Sequence, residues 1–176
     1  MAGPATTSLE QEVVTPYLPR LLVEWPPDPP PPTAREIAGT LAFVDISGFT
    51  KMSERLARRG KEGAEEVAGL IGTCFTSLLS VAYGEGGGLV KFGGDALLLF
   101  FHGPDHEVRG ARAVAMMRRR LREIGKLPSS AGQISLRMSV GVHSGTFLFL
   151  LVGTSHRELI ITGPGATRTV EMEQAA

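Results

Sequence analysis

The stretch that most constrains this chain is Thr40 to Thr50, TLAFVDISGFT, where an apolar run stops on an acid, Asp45. A carboxylate at the end of an apolar strand is poorly hydrated and needs a partner. The answering stretch is LVKFGGDALLLFF, Leu89 to Phe101, where Asp95 follows Gly93 and Gly94 and precedes a second apolar run. A glycine pair between two apolar runs signals a hairpin. A fold that lays the first strand beside that hairpin brings the two acids together.

The rest of the pattern supplies such a fold. Residues 1–37 read as a leader apart from the core, and residues 38–176 as one domain. In the leader, Tyr17, Leu18, Leu21, Leu22 and Trp25 recur at helical spacing and suit a short amphipathic segment that packs on the domain or on a partner. The Pro26 to Pro32 run lacks backbone donors and reads as a stiff polyproline spacer. After the first strand, Ser47 and Thr50 stand where helix N-caps belong, opening a short helix that Gly60 ends. A longer helix carries the stripe Ala64, Val67, Ile71, Phe75, Leu78 and Ala82. Two strands then hinge at Gly93-Gly94-Asp95. Another helix buries Ala111, Val114, Met117, Leu121 and Ile124 and turns Arg118, Arg119, Arg120 and Arg122 mostly to solvent. A loop at KLPSSAG leads to ISLRMSVGVHSG, TFLFLLVG and LIIT as strands, and GPGATRTVEMEQAA reads as a loop feeding a last helix. This order predicts an α+β fold of ferredoxin-like βαβ-βαβ type, its sheet covered by helices on one face. In that topology Asp45 and Asp95 are neighbours.

Two close carboxylates repel unless a divalent cation or a shared proton lies between them. Hard-cation sites for phosphate chemistry use one or two carboxylates plus substrate oxygens. Gly48, Phe49 and Thr50 fit that chemistry, because free N–H groups at a helix start favour anions and glycine lets a phosphate approach. The alternative is purely local: Asp45 caps the following helix and Asp95 serves the tight turn.

Bulk properties narrow the partners. The 18 basic and 18 acidic residues balance, so no global field draws the chain to nucleic acid. No uninterrupted apolar run reaches the ~20 residues of a membrane helix, so no membrane span is expected. One cysteine, Cys74, cannot form an intramolecular disulfide and fits a reducing, cytoplasmic setting.

FVDISGFT, KFGGDALLLFF and MSVGVHSG, in that order, resemble the class III nucleotidyl cyclase catalytic domain. The likeness is to the first catalytic half of bicarbonate-responsive soluble adenylyl cyclases and to related bacterial multidomain regulators. It implies that Asp45 and Asp95 bind two Mg2+ or Mn2+ ions with help from the Ile46 carbonyl. It implies that Gly48, Phe49 and Thr50 hold the triphosphate of ATP, GTP being the lesser candidate, while the ribose 3′-hydroxyl attacks the α-phosphate. Lys91 falls where catalytic halves carry a base-selecting lysine, and where the soluble-cyclase first half helps bind bicarbonate. His143, in the family's G-x-H-x-G strand, reads as a packed residue.

The departures carry equal weight. Active homodimeric members have an asparagine and, four residues on, an arginine after the Gly-Pro loop; this chain has Thr167 and Glu171. Glutamate cannot stabilise a phosphoryl transition state. The resemblance therefore implies half of an adenylate cyclase site, completed by a complementary half in cis or in trans, in a chain that stops short of the family's final elements. The competing reading is a cyclase-like regulatory domain that senses nucleotide or bicarbonate, or binds a partner, without turnover. A diguanylate cyclase is disfavoured, since Ala96 stands where an acid should follow Gly-Gly-Asp.

Overall fold

A computed structural model describes Thr15, residues 18–26 and residues 33–176. Tyr17 and most of the polyproline run lie outside the described residues. A short helix α1 (Arg20–Val23) precedes β1 (Ala34–Ser47), α2 (Phe49–Ala57), α3 (Lys61–Gly84), β2 (Gly88–Gly93) and β3 (Ala96–His102). Then follow α4 (His106–Ile124), β4 (Lys126–Ser129), β5 (Gly132–Ser135), β6 (Arg137–Val152), β7 (Glu158–Thr162) and α5 (Pro164–Gln174).

The main sheet has the order β2-β3-β1-β6-β7, with every neighbouring pair antiparallel. Each crossover, β1 through α2 and α3 to β2 and β3 through α4 to β6, returns to the same direction with one strand between. This is the interleaved βαβ topology expected from the order of elements. β1 is central, so its middle is buried on both faces: Leu41, Ala42, Val44 and Ile46 are almost wholly inaccessible.

The two faces of β1 feed two separate cores. Ala42, Val44 and Ile46 pack with Leu56 of α2, Cys74, Leu78 and Ala82 of α3, and Met117 of α4. Fully burying the Val, Ile, Leu and Met side chains among these stabilises by about 1.5–3 kcal/mol each. Leu41 lies in the second core with Val90, Phe100, Phe147, Phe149 and Leu159. That core exists because the sheet curls: Lys91 on β2 and Glu158 on β7, at its opposite edges, approach to 3.8 Å between Nζ and Oε2. Phe100 meets Phe149 at 4.8 Å and Phe147 at 5.7 Å between ring centroids inside the curl. A bulge between Leu89 and Lys91 leaves Val90 as an extra residue in β2, and its side chain is buried in the second core.

The leader contributes to this second core. Leu21 and Trp25 are buried in it, with the Arg35 guanidinium 5.2 Å over the Trp25 ring. Helices α2, α3 and α4 cover the first face as expected, while α1 and α5 lie on the other. Helix α5 sits directly on β6, because a Cβ on Gly141 would come 1.9 Å from the Thr169 carbonyl oxygen.

Several local readings change. The segment read as a loop at Lys126 to Gly132 begins a two-stranded hairpin, β4–β5. Ser129 Oγ closes its turn on the Gly132 carbonyl at 2.6 Å, and the Ser130 N–H reaches Glu66 of α3 at 2.8 Å. Of the two stretches after it, Ile134 and Ser135 belong to β5, and from Arg137 on they form one continuous strand of 16 residues, β6. On α4, Ala113 is buried and Ala111 is exposed, one register from the expected stripe. Helix α3 has a mean hydropathy of 1.5 over its most apolar window, enough by length and composition to cross a membrane. Its Cys74, Leu78 and Ala82 side chains are taken up by the first core.

At the end of the sheet remote from Asp45, Arg109 holds one corner together. Its guanidinium donates to the carbonyls of Pro104 (3.0 Å), Glu85 (3.0 Å) and His102 (2.5 Å). Nearby, Thr40 Oγ1 lies 2.9 Å from His106 Nδ1 and 2.7 Å from Ser144 Oγ.

Candidate active site

Asp45 stands opposite Ala96 of β3 and opposite Ser139 of β6. Asp95 is in the two-residue turn that joins β2 to β3, directly before Ala96. Gly94, first in that turn, has φ +69°, the left-handed conformation that a tight hairpin demands of its first central residue. The hairpin therefore delivers Asp95 beside the end of β1. Both acids are half-buried. Burial, then the charge of Asp95, then that of Glu173 push the Asp45 carboxyl above its ordinary value.

The chain turns sharply after Asp45. Ser47 is the last residue of β1 and Thr50 lies inside the first turn of α2, so neither is the cap expected of it. Gly48 caps instead, at φ 111° and with no side-chain hydrogen bond. A Cβ there would also meet the Ser135 carbonyl oxygen at 2.8 Å, so both conformation and space select glycine. The first helical bond runs from Met52 N–H to the Gly48 carbonyl at 3.1 Å. The N–H groups of Phe49, Thr50 and Lys51 precede it at the positive end of the helix. Phe49 is buried and fixes this turn, its ring 5.6 Å from Phe75, which is 5.5 Å from Phe92. A cavity of about 460 Å3 opens between the turn and the hairpin, with Thr50, Glu54, Phe75 and Asp95 in its wall.

The donor set suits a hard cation. Two neighbouring carboxylates are relieved by a divalent ion between them, and two such ligands plus phosphate oxygens are what Mg2+ ordinarily takes. Among the described residues no group of three or more His, Cys, Asp or Glu side chains is gathered to hold a metal. The remaining ligands would be substrate, water or backbone. Ile46 is completely buried and paired opposite Met138, and its apolar side chain offers no ligand.

The sequence profile of the adenylate and guanylate cyclase catalytic domain matches residues 34–176. The chain belongs to this family. It is 26% identical over 161 residues to mouse (Mus musculus) adenylate cyclase type 10, covering 90% of this chain and 10% of that protein. The chain thus spans about a tenth of that relative's length. The fold matches the adenylyl cyclase CyaB from P. aeruginosa with a TM-score of 0.68 at 23% identity, over 81% of this chain and 74% of the other. It matches a bacterial light-regulated adenylyl cyclase with a TM-score of 0.76 at 17% identity, over 97% of this chain and 50% of the other.

Within this cyclase domain the remaining candidates separate from the acids. Lys91 is exposed and paired with Glu158, and it lines a different groove of about 920 Å3 along the outer edge of β2 with Leu18, Val23 and Tyr83. Neither acid lines that groove. Thr167 and Glu171 are exposed on α5, and the Thr167 hydroxyl turns back to the Gly163 carbonyl at 3.4 Å. Arg168 is exposed beside them. His143 packs edge-on to Phe147 at 6.0 Å, in keeping with a packed residue.

One residue escaped the sequence reading of the cyclase domain. Glu173, near the end of α5, accepts a hydrogen bond from Ser139 Oγ at 2.5 Å. The signal was present: Gly165, Thr169 and Glu173 recur every four residues, the spacing of one helix face. Gly165 packs against Phe147 and Thr169 is fully buried.

Proposed function

We propose that this chain is the metal-bearing half of an adenylate cyclase site, converting ATP to cyclic AMP and pyrophosphate at a dimer or domain–domain interface. Residues 38–176 serve as the catalytic unit and residues 1–37 as its leader, in the cytoplasm. The observation that carries the reading is Asp45 itself. It is half-buried, its ionised form is disfavoured by burial and by Asp95, and it stands beside a helix start with no side-chain cap.

In this reading Asp45 and Asp95 hold two Mg2+ or Mn2+ ions, with the Ile46 carbonyl assisting. When bound, the metal pair offsets phosphate charge and lowers the pKa of the ribose 3′-hydroxyl. The N–H groups of Gly48, Phe49 and Thr50 orient the triphosphate along the axis of α2. Phe49, pinned by Phe75, keeps those donors from relaxing, so little reorganisation is needed when charge develops at the α-phosphate. Lys91 contributes to recognition of the base, adenine over guanine, once its pairing with Glu158 is exchanged. Neither Thr167 nor Glu171 can offer positive charge to the transition state, so a complementary half supplies it.

The second reading, a regulatory domain that binds nucleotide or bicarbonate without turnover, is favoured by one observation: Glu171 is exposed where a cation is required. Two measurements separate the readings. Calorimetry of ATP with Mn2+ on wild type and on Asp45→Ala reads the metal site. Mass spectrometry for cyclic AMP, with a complementary cyclase half added, reads turnover. Metal-dependent binding with product supports the enzyme, and binding without product in any pairing supports the regulator. Binding unchanged in Asp45→Ala sinks both.

A further inference from the structure

We propose that Glu173 is a positioning residue of the acid site: tethered by the Ser139 hydroxyl, it holds a third negative charge beside Asp45 and strengthens divalent-cation binding without ligating the cation. This rests on the metal reading above and adds to it a residue outside the ligand pair.

Ser139 is the direct cross-strand partner of Asp45. Opposed residues on antiparallel strands point to the same face with Cβ atoms about 4.5–5.5 Å apart. The Ser139 hydroxyl donates to Glu173 Oε1 at 2.5 Å, a charge-assisted bond that fixes the carboxylate. The backbone beneath Glu173 is equally fixed. A Cβ on Gly141 would lie 2.6 Å from Glu173 N and 3.0 Å from Glu173 Cβ, so the last turn of α5 rests on bare backbone of β6.

Glu173 is half-buried and takes part in none of the ion pairs found among the described residues. Through Ser139, the strand partner of Asp45, its carboxylate is held on the face of the sheet that Asp45 occupies. Three carboxylates at one end of the sheet form a field that a divalent ion relieves. Partners just outside a ligand set commonly change metal affinity by about 10–100-fold.

The test is Mn2+ binding by the full chain, followed by loss of the free-ion paramagnetic resonance signal, at low and high salt. Glu173→Gln keeps an oxygen for the Ser139 proton and removes the charge. It should weaken Mn2+ binding about tenfold with melting unchanged, and the deficit should shrink at high salt. Ser139→Ala frees the carboxylate and should weaken binding in wild type but add nothing in the Glu173→Gln background. Wild-type affinity in Glu173→Gln, or losses that multiply in the double variant, overturns the proposal. Binding lost in Asp45→Asn but unaltered in Glu173→Gln overturns this inference alone. Wild type that binds no Mn2+, or Asp45→Asn that binds normally, overturns the metal reading with it.

Discussion

Gly141 and Thr169 touch as backbone to backbone: a single added Cβ on the strand would come 1.9 Å from the Thr169 carbonyl oxygen. Helix α5 can seat on β6 only because position 141 has no side chain. Gly141→Ala should therefore lift α5 from the sheet and destabilise by about 1–3 kcal/mol or more. Urea unfolding followed by circular dichroism measures this, and an unchanged midpoint would refute the seating.

Asp45 makes stability depend on pH in a direction opposite to most surface acids. Its folded pKa lies above the ordinary 3.8, so the folded state holds the proton more tightly than the unfolded chain. The resulting stabilisation is complete below 3.8 and is lost as pH rises through the folded value. Asp45→Asn should remove that loss, leaving the metal-free variant at least as stable as wild type at neutral pH. The measurement is the difference between the two unfolding free energies across pH 3 to 7, about the range in which carboxyls titrate. A difference that does not change with pH counts against it.

Cys74 is 1% exposed and burial pushes its thiol up to about 11. Thiolate is the reactive form. Native protein should resist iodoacetamide at pH 8, about half a unit below a free thiol's pKa, and label fully in urea. Mass spectrometry of the alkylated chain distinguishes the two, and rapid native labelling would contradict the packing.

Thr40, wholly buried, sits between His106 and Ser144. Thr40→Val preserves shape and deletes the shared hydroxyl, which should cost about 1–3 kcal/mol as His106 Nδ1 loses the Thr40 hydroxyl. Ser144→Ala, at the exposed end of the same chain, should cost less. Equal losses in thermal unfolding would mean that the hydroxyl chain contributes nothing beyond packing.

What could be read from sequence was mostly what is local. An apolar run ending on Asp45, a glycine pair before Asp95 and the rhythm of α3 and α4 each lie within a short window, and together they order the sheet. The caps were misread because Ser47 and Thr50 are good capping residues by type, whereas the turn geometry demands a left-handed residue that only Gly48 supplies cheaply. The hairpin β4–β5 was hidden by its length, four residues to each strand, and by Pro128 within it. The four-residue spacing of Gly165, Thr169 and Glu173 marked one face of α5, but what that face meets depends on α5 landing on β6, a contact no window spans. The curl that brings Lys91 to Glu158 is likewise a property of the whole sheet.

The central place of β1 has a consequence for how the chain reaches this fold. On a growing chain β1 emerges first, yet one of its two partners, β6, begins only at Arg137. Until then the apolar Leu41 to Val44 run keeps one row of N–H and C=O groups unpaired beside β3. Long-range pairing of this kind closes slowly and leaves a sticky edge while it waits. Variants that delay β6 should accordingly betray themselves as aggregation during synthesis before any loss of the finished domain's stability is seen.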